Sequence, residues 1–404
     1  MTKILIQHGP QKGQKIENAL NRNNVNGAIF SLRDEKIDSI FDYISKCPNL
    51  NSKNSFIDSQ FYYSTYDKDV VKNLENTLHF PLEVSRRDMR TKSARMDEYF
   101  KNYSEYLEGK IDNIFVPGLS INAIDWKFDY TLDIYKQFKE NNKFENCYMT
   151  MVISSKMFHS KNDIDEILLD ISDDTNEFDS NGIYLIINYD DTSDTNYENI
   201  DPETLSNILY FIYMLKRKNF KIIVGYTFIN SILFAMLDCE YIGSGWFNNL
   251  RKFTNSKFES VDIFGRRKKK YFSIPLMSYI NLETIRDLKS YYEINELKSK
   301  TLCDDLAFSN IDDVSFVDLE HQFWEALNIV INDVNSLENM EEKIKIIKVK
   351  ILNAIALSDK VINSIPDFVE LKNIIKVNTS HLKEWLFAID LFIKKASILI
   401  YWCF

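Results

Sequence analysis

Residues 182–225 hold the pattern that decides the fold: Gly182-Ile183-Tyr184-Leu185-Ile186-Ile187-Asn188, an amphipathic stretch from Pro202 to Lys218, then Lys221-Ile222-Ile223-Val224-Gly225. The two flanking runs are short, β-branched and almost continuously apolar, which suits strands covered on both faces. The stretch between them has helical spacing, with Pro202 fit for its first turn and Asp201 as a candidate cap. Strand, helix and strand with both faces covered make a parallel βαβ unit.

Outward from this stretch the unit repeats. The apolar runs are Ile4 to Gln7, Gly27 to Leu32, Ser55 to Asp58, Asn113 to Pro117, Cys147 to Ser154, Gly182 to Asn188, Lys221 to Gly225 and Glu240 to Gly243. Helical patterns alternate with them over Lys12 to Asn21, Glu35 to Lys46, Asp69 to Leu78, Trp126 to Glu140, Asn162 to Ile171, Pro202 to Lys218, Asn230 to Leu237 and Trp246 to Phe253. Eight strands and eight helices predict an α/β fold, a closed (β/α)8 barrel of the TIM type over residues 1–280. An open doubly wound sheet is the structural alternative. Residues 80–110 read as a basic insertion after the third strand, and Tyr271 to Pro275 as an extended segment. From 281 to 404, Leu, Ile and Phe at helical spacing with few breakers predict an all-α C-terminal extension.

The 404 residues are 45% hydrophobic and 14% aromatic, enough for a barrel of about 250 residues and a smaller helical region. With 49 Lys+Arg against 59 Asp+Glu the net charge is -10, which excludes a general polyanion binder and leaves nucleic-acid contact to local basic patches. Five cysteines without CxxC or CxH spacing suggest neither a zinc cluster nor a disulfide framework, and a reducing cytoplasm is expected. The chain opens on a strand-like Ile4-Leu5-Ile6 without signal-peptide features. Asp390, Lys394 and Lys395 interrupt the apolar stretch Trp385 to Phe404, so a buried helix is expected there and no membrane span.

Active sites of such barrels occupy the face formed by the C-terminal strand ends. Asp58, closing the third strand, is a candidate base or nucleophile, with a turn or cap role as the alternative. Asp190 is a candidate second carboxylate, although with Asp191 it opens an acidic loop that suits solvation equally. His8 suits a general acid or a structural histidine. Gln7, Arg33, Ser59, Gln60 and Asn122, at the ends of the first four strands, are candidate substrate contacts. Gly243-Ser244-Gly245-Trp246 leads into a short helical pattern, where close backbone approach and helix N–H groups would cup an anion, unless it is a tight turn with Trp246 packed. Arg86, Arg87 and Arg90 in one basic run, and Arg266, Arg267, Lys268 and Lys269 in another, are candidate contacts to a nucleic-acid backbone, with Tyr99, Tyr103, Phe264 and Tyr271 as stacking partners. A solvated surface is the alternative. His79, His159, His321 and His381 show no metal-ligand spacing, and no cofactor or structural metal is expected; a carboxylate-bound magnesium ion has no sequence signature.

The third strand end, Phe56-Ile57-Asp58-Ser59-Gln60-Phe61, resembles the Asp-Ser-Gly-Gly-Phe strand end of tRNA-guanine transglycosylases, which are also (β/α)8 barrels. The resemblance implies that Asp58 is the carboxylate near the base pocket and Ser59 its neighbour. Gln60 stands where that family has its first glycine, one residue rather than two precedes Phe61, and its cysteine-rich zinc site has no counterpart.

Three functions compete. One is an enzyme acting on a nucleobase or nucleoside within nucleic acid, by cleavage or exchange at the N-glycosidic bond. Another is a non-catalytic barrel serving as a scaffold subunit, docking a protein partner through the aromatic-rich C-terminal helices. The third is a hydrolase or isomerase for a small phosphorylated metabolite.

Overall fold

The computed structural model describes residues 1–9, 13–66, 72–91, 93–141, 144–175, 182–189, 198–247, 250–254 and 268–397. Asp190, Asp191, Phe264, Arg266 and Arg267 lie outside the described residues.

Strands β1 (Lys3–Gln7), β2 (Gly27–Ser31), β3 (Ser55–Asp58), β4 (Asn113–Val116), β5 (Ser120–Ile121), β6 (Asn146–Ser154), β7 (Gly182–Asn188), β8 (Lys221–Gly225) and β9 (Tyr241–Gly245) form one parallel sheet in the order β3-β2-β1-β9-β8-β7-β6-β4. The fourth stave is split: β4 pairs with the start of β6 and β5 with its end. The chain turns between them at Gly118, where a Cβ would stand 2.0 Å from the Thr150 carbonyl oxygen, so only glycine fits.

The barrel closes between β3 and β4 without a ladder. Side chains and flanking backbone do that work. The Asp112 N–H donates to Ser52 O (3.0 Å), Asn113 Nδ2 donates to Lys53 O (2.8 Å), and the Tyr103 hydroxyl lies 3.0 Å from the carbonyl oxygens of both Ile57 and Phe115. Phe56 stacks on Phe115 across the same seam at 5.2 Å.

Helices α1 (Lys15–Asn21), α2 (Ile37–Lys46), α3 (Arg86–Arg90), α4 (Ala94–Leu107), α5 (Trp126–Glu140), α6 (Lys161–Thr175), α7 (Pro202–Arg217) and α8 (Ser231–Ala235) follow the strands. Of the expected helix from Asp69 to Leu78, the described part holds a 3-10 helix, Lys72–Asn76. The third barrel helix is α4, inside the segment expected to be an insertion. Its Met96, Tyr99, Tyr103 and Leu107 make the buried stripe that the β3–β4 wall needs.

A larger difference concerns the eighth helix, expected over Trp246 to Phe253. Leu250 to Thr254 instead cross the barrel mouth: Phe253 bridges to Asn188 and accepts from the Tyr189 N–H (2.9 Å). The eighth position, between α8 and α1, is taken by α11 (Phe316–Asn335). Asn335 clamps the Thr2 backbone through both amide atoms, and Asn328 Nδ2 donates to Asn23 O. Buried Arg251 holds the top of α11 in place. It ion-pairs with Glu320, donates to Gly245 O (2.7 Å) and Tyr279 OH (2.8 Å), and faces the Phe323 ring at 4.0 Å.

The chain between the barrel and α11 is not purely helical. An antiparallel hairpin, β10 (Lys270–Ser273) with β11 (Ser278–Asn281), precedes α9 (Leu282–Leu288) and α10 (Asp304–Ser309). With the ends of α12 (Met340–Ser364) and α13 (Leu371–Asn378) these elements enclose a small second core around Tyr271, Ile280, Ile285, Phe308 and Ile375. The remaining helical region joins the main core: α14 (His381–Lys395) packs on α7 and α12 and buries Trp385 and Phe392. Burial of each such large side chain contributes about 1.5–3 kcal/mol. No helix among the described residues is long and apolar enough to cross a membrane.

Candidate active site

Strand alternation decides which side chains enter the barrel. Phe56, Phe115, Tyr148 and Tyr241 meet ring to ring in a lower apolar layer. Two residues further along β3, Asp58 enters the next layer, where it is fully buried. Its Oδ1 accepts from the Gln60 N–H (2.9 Å), and its Oδ2 accepts from the Tyr62 hydroxyl (3.0 Å) and faces that of Tyr184 at 3.4 Å. Tyr184 OH also lies 3.2 Å from Gln7 Oε1, so β1, β3 and β7 converge on one point. Gly225 and Gly243 clear the space: a Cβ would stand 2.6 Å from the Tyr184 ring at the first and 3.0 Å from Gln7 Oε1 at the second.

Above this layer Tyr226 OH lies 3.5 Å from Tyr62 OH, and Phe253 meets both rings edge to face. Burial, and after it the charge of Asp58, pushes the Tyr62, Tyr184 and Tyr226 hydroxyls well above the usual phenol range. All three therefore stay protonated and serve as donors. Buried Gln7 Nε2 has no hydrogen-bond partner among the described residues.

No family model matches this chain. Neither a curated protein nor a solved structure matches it significantly. The site itself is thus the basis for a functional reading.

The backbone at this face is strained at two points. Gln60 and Tyr226 carry φ of 52° and 54°, the left-handed region that suits glycine. At Gln60 side-chain bonds hold the conformation, because Oε1 accepts from the Arg33 N–H (2.9 Å) and lies 2.8 Å from Ser31 Oγ. That carbonyl is committed to the protein, so only Nε2, 3.5 Å from Tyr226 OH, faces the mouth.

The other expected site residues are placed differently. His8, one residue past Gln7, takes the opposite side of β1, where it meets Phe30 edge to face and pairs through Nε2 with Glu35 (3.1 Å); Phe30 in turn contacts Tyr43 of α2. Arg33 is half-buried with its guanidinium 5.0 Å from the Tyr63 ring centre. Ser59 is buried, and its Oγ accepts from the Phe61 N–H (3.4 Å). Asn122 is exposed beyond β5.

Gly243, Ser244 and Gly245 belong to β9 rather than to a turn after it. Ser244 Oγ donates to Thr227 O (2.7 Å), Leu250 packs onto Gly245, and Trp246 is buried under α11. The expected glycine cup for an anion is therefore not formed by these residues, since strand pairing and Leu250 occupy its place. Arg86, Arg87 and Arg90 are exposed on α3, in the connection from β3 to α4, whose Val84 N–H is tied to Ser64 O (2.8 Å). Lys268 is exposed; Lys269 donates to Asp312 O (3.2 Å). The expected stacking partners Tyr99, Tyr103 and Tyr271 are all fully buried in cores. Among the described residues no group of three or more His, Cys, Asp or Glu side chains could hold a metal ion.

Sequence reasoning passed over Tyr62, Tyr184 and Phe253. Tyr184 was detectable, because it lies four residues before Asn188 on the same face of a strand whose end was already a candidate. Glu198, buried, accepts from the N–H groups of Ile229 (3.0 Å) and Asn230 (2.9 Å), and burial pushes its carboxyl up to about 8.

Proposed function

We propose that this barrel is an enzyme acting on a nucleobase or nucleoside within nucleic acid, by cleavage or exchange at the N-glycosidic bond, with Asp58 as the carboxylate facing the sugar. The observation that carries the reading is a fully buried carboxylate at a strand's C-terminal end, held by two protonated tyrosines beside the amide donor of Gln7, which has no partner among the described residues. When the glycosidic bond breaks, its electron pair leaves with the base and positive charge develops on the sugar. A desolvated carboxylate stabilises that charge or bonds covalently to the anomeric carbon. Tyr62 and Tyr184 hold Asp58 in one orientation, and Gln7 Nε2 suits an acceptor on a base edge. The exposed arginines of α3 suit the phosphates of the polymer.

The test measures release of free base, and incorporation of labelled base, with nucleosides and folded RNA as substrates. Asp58→Asn is expected to lower the rate at least about a hundredfold, with an unchanged circular dichroism spectrum. A variant as active as the parent would sink the assignment.

One observation favours a second reading. Tyr62, Tyr226 and Phe253 cover Asp58 completely, as they would in a non-catalytic barrel that serves as a scaffold. That reading predicts no turnover on any of these substrates, and a change in melting temperature as the sole effect of Asp58→Asn.

A further inference from the structure

Asp58 is fully buried beneath the rings of Tyr62, Tyr226 and Phe253, so a substrate reaches it only when that cover moves. Two of the three rings are built into the barrel. Tyr62 stands in the 3-10 turn Phe61–Tyr63, where the Tyr63 N–H donates to Gln60 O (2.9 Å) and Phe61 packs against Phe80, Tyr99 and Phe100. Tyr226 leads out of β8, and the next residue is fastened to β9. Thr227 donates through its N–H and Oγ1 to Gly243 O (2.8 and 3.0 Å), and its carbonyl accepts from Ser244 Oγ (2.7 Å).

Phe253 is placed differently. It belongs to no helix and no strand ladder; its backbone meets the barrel at an isolated bridge to Asn188, beside which Phe253 O accepts from the Tyr189 N–H (2.9 Å). The residues just before it are fixed. Leu250 fills the space that the missing side chains of Gly9 and Gly245 leave, and buried Arg251 donates to Gly245 O (2.7 Å) and pairs with Glu320 of α11. A firm anchor is thus followed, two residues on, by a ring whose withdrawal breaks neither a ladder nor a helix. Lids over active sites commonly turn on such short stretches, where a few residues absorb the change in φ and ψ.

We propose that residues 250–254 are a gate over Asp58. Leu250 and Arg251 anchor it, the backbone turns at Lys252, and Phe253 is the plug that leaves the mouth to admit substrate. The gate rests on the reading of Asp58 as the reacting carboxylate. Phe253 braces Tyr62 and Tyr226 edge to face, at 5.5 and 5.1 Å, so its departure also lets those two side chains turn away from the carboxylate.

The Tyr189 amide reports the gate directly, because its bond to Phe253 O spans strap and barrel. In the full chain its hydrogen exchange, corrected for the intrinsic rate, is expected to be at least about a hundredfold faster than that of Leu185 and Ile186 in the middle of β7. It is also expected to be indifferent to sub-denaturing urea, since a local opening exposes little surface. Exchange as slow as theirs, with the same urea dependence, would mean that the strap leaves only when the barrel unfolds, and would overturn the gate. This arm needs neither a variant nor turnover.

A second arm places a thiol under the plug. In Asp58→Cys, modification at position 58 by a small thiol reagent, read by peptide mapping, is expected to quicken at least about tenfold when Phe253→Ala is added. Equal rates in the two chains would remove Phe253 from the role of plug. Base release by the parent, measured alongside, separates gate from chemistry. A parent that releases base while Tyr189 exchanges only with the barrel keeps the chemistry and overturns the gate; one that releases none while both arms succeed keeps the gate and sinks the glycosidic chemistry.

Discussion

His381 shows how one buried side chain ties stability to pH. It is fully buried at the start of α14, with Nε2 3.1 Å from Met277 O and its ring against Trp385, and burial pushes it down to about 4 from the ordinary 6.5. The unfolded chain therefore takes up the proton first on acidification. Its contribution is complete above pH 6.5 and is lost as pH falls towards 4. Glu198 has the opposite sign: raised from 4.5 to about 8, it contributes below 4.5 and loses that contribution as pH rises through 8. Because Glu198 gains over much of the same window, the His381 contribution is read by difference: on urea unfolding at stepped pH, His381→Asn is expected to lose less stability than the parent between pH 6.5 and 4. An identical acid slope in that variant would show that His381 is not linked to it. Asp58 was legible as a candidate because a carboxylate ending an apolar strand is conspicuous. Its tyrosine partners were not, since a tyrosine within an apolar strand looks like any other core residue until the opposite wall is known.

Among the elements, the join between β3 and β4 carries the sharpest consequence. Every other pair of neighbouring staves shares a parallel ladder, whereas this one is joined at one end by the Asp112 and Asn113 bonds to Ser52 O and Lys53 O and at the other by the Tyr103 hydroxyl between Ile57 O and Phe115 O. Tyr103→Phe leaves the ring in place and removes the single O–H that the two buried carbonyls share. It is expected to destabilise the protein by about 1–3 kcal/mol, read by chemical denaturation, and to speed amide exchange at the two strands. A loss within error of zero would mean that the aromatic stack of Phe56 on Phe115 closes the seam unaided. The sequence placed α4 in an insertion because the amphipathic stretch before it came first after the strand. Which of two such stretches covers a wall depends on the wall, and the Met96, Tyr99, Tyr103, Leu107 stripe fits it.

For the whole molecule, the barrel and the helical region are one folding problem. The eighth barrel position is filled only after the hairpin and two short helices have intervened, by α11, whose Asn335 returns to Thr2. A fragment of residues 1–280 therefore lacks its eighth helix and exposes the apolar wall that Phe323, Trp324 and Leu327 cover. It is expected to be insoluble or to lack a cooperative thermal transition, whereas the chain through residue 397 melts cooperatively. A soluble, cooperatively melting fragment would show that the barrel does not need α11. The buried Arg251–Glu320 pair locks the same join, and breaking one partner of such a pair costs about 3–5 kcal/mol.

Periodicity pointed to the parallel barrel over an open sheet, and gave its eight staves, their bounds to within a few residues and the helical character of the C-terminal region, though not the split of the fourth stave into β4 and β5. These follow from local pattern, because a strand buried on both faces and a helix buried on one leave different spacings. Tertiary structure decided which helix stands eighth, that Leu250 to Thr254 cross the mouth, that His8 faces away from Asp58, and that Tyr62 and Tyr184 hold it. Each of those depends on which surfaces meet across long stretches of chain. No local spacing records such a meeting.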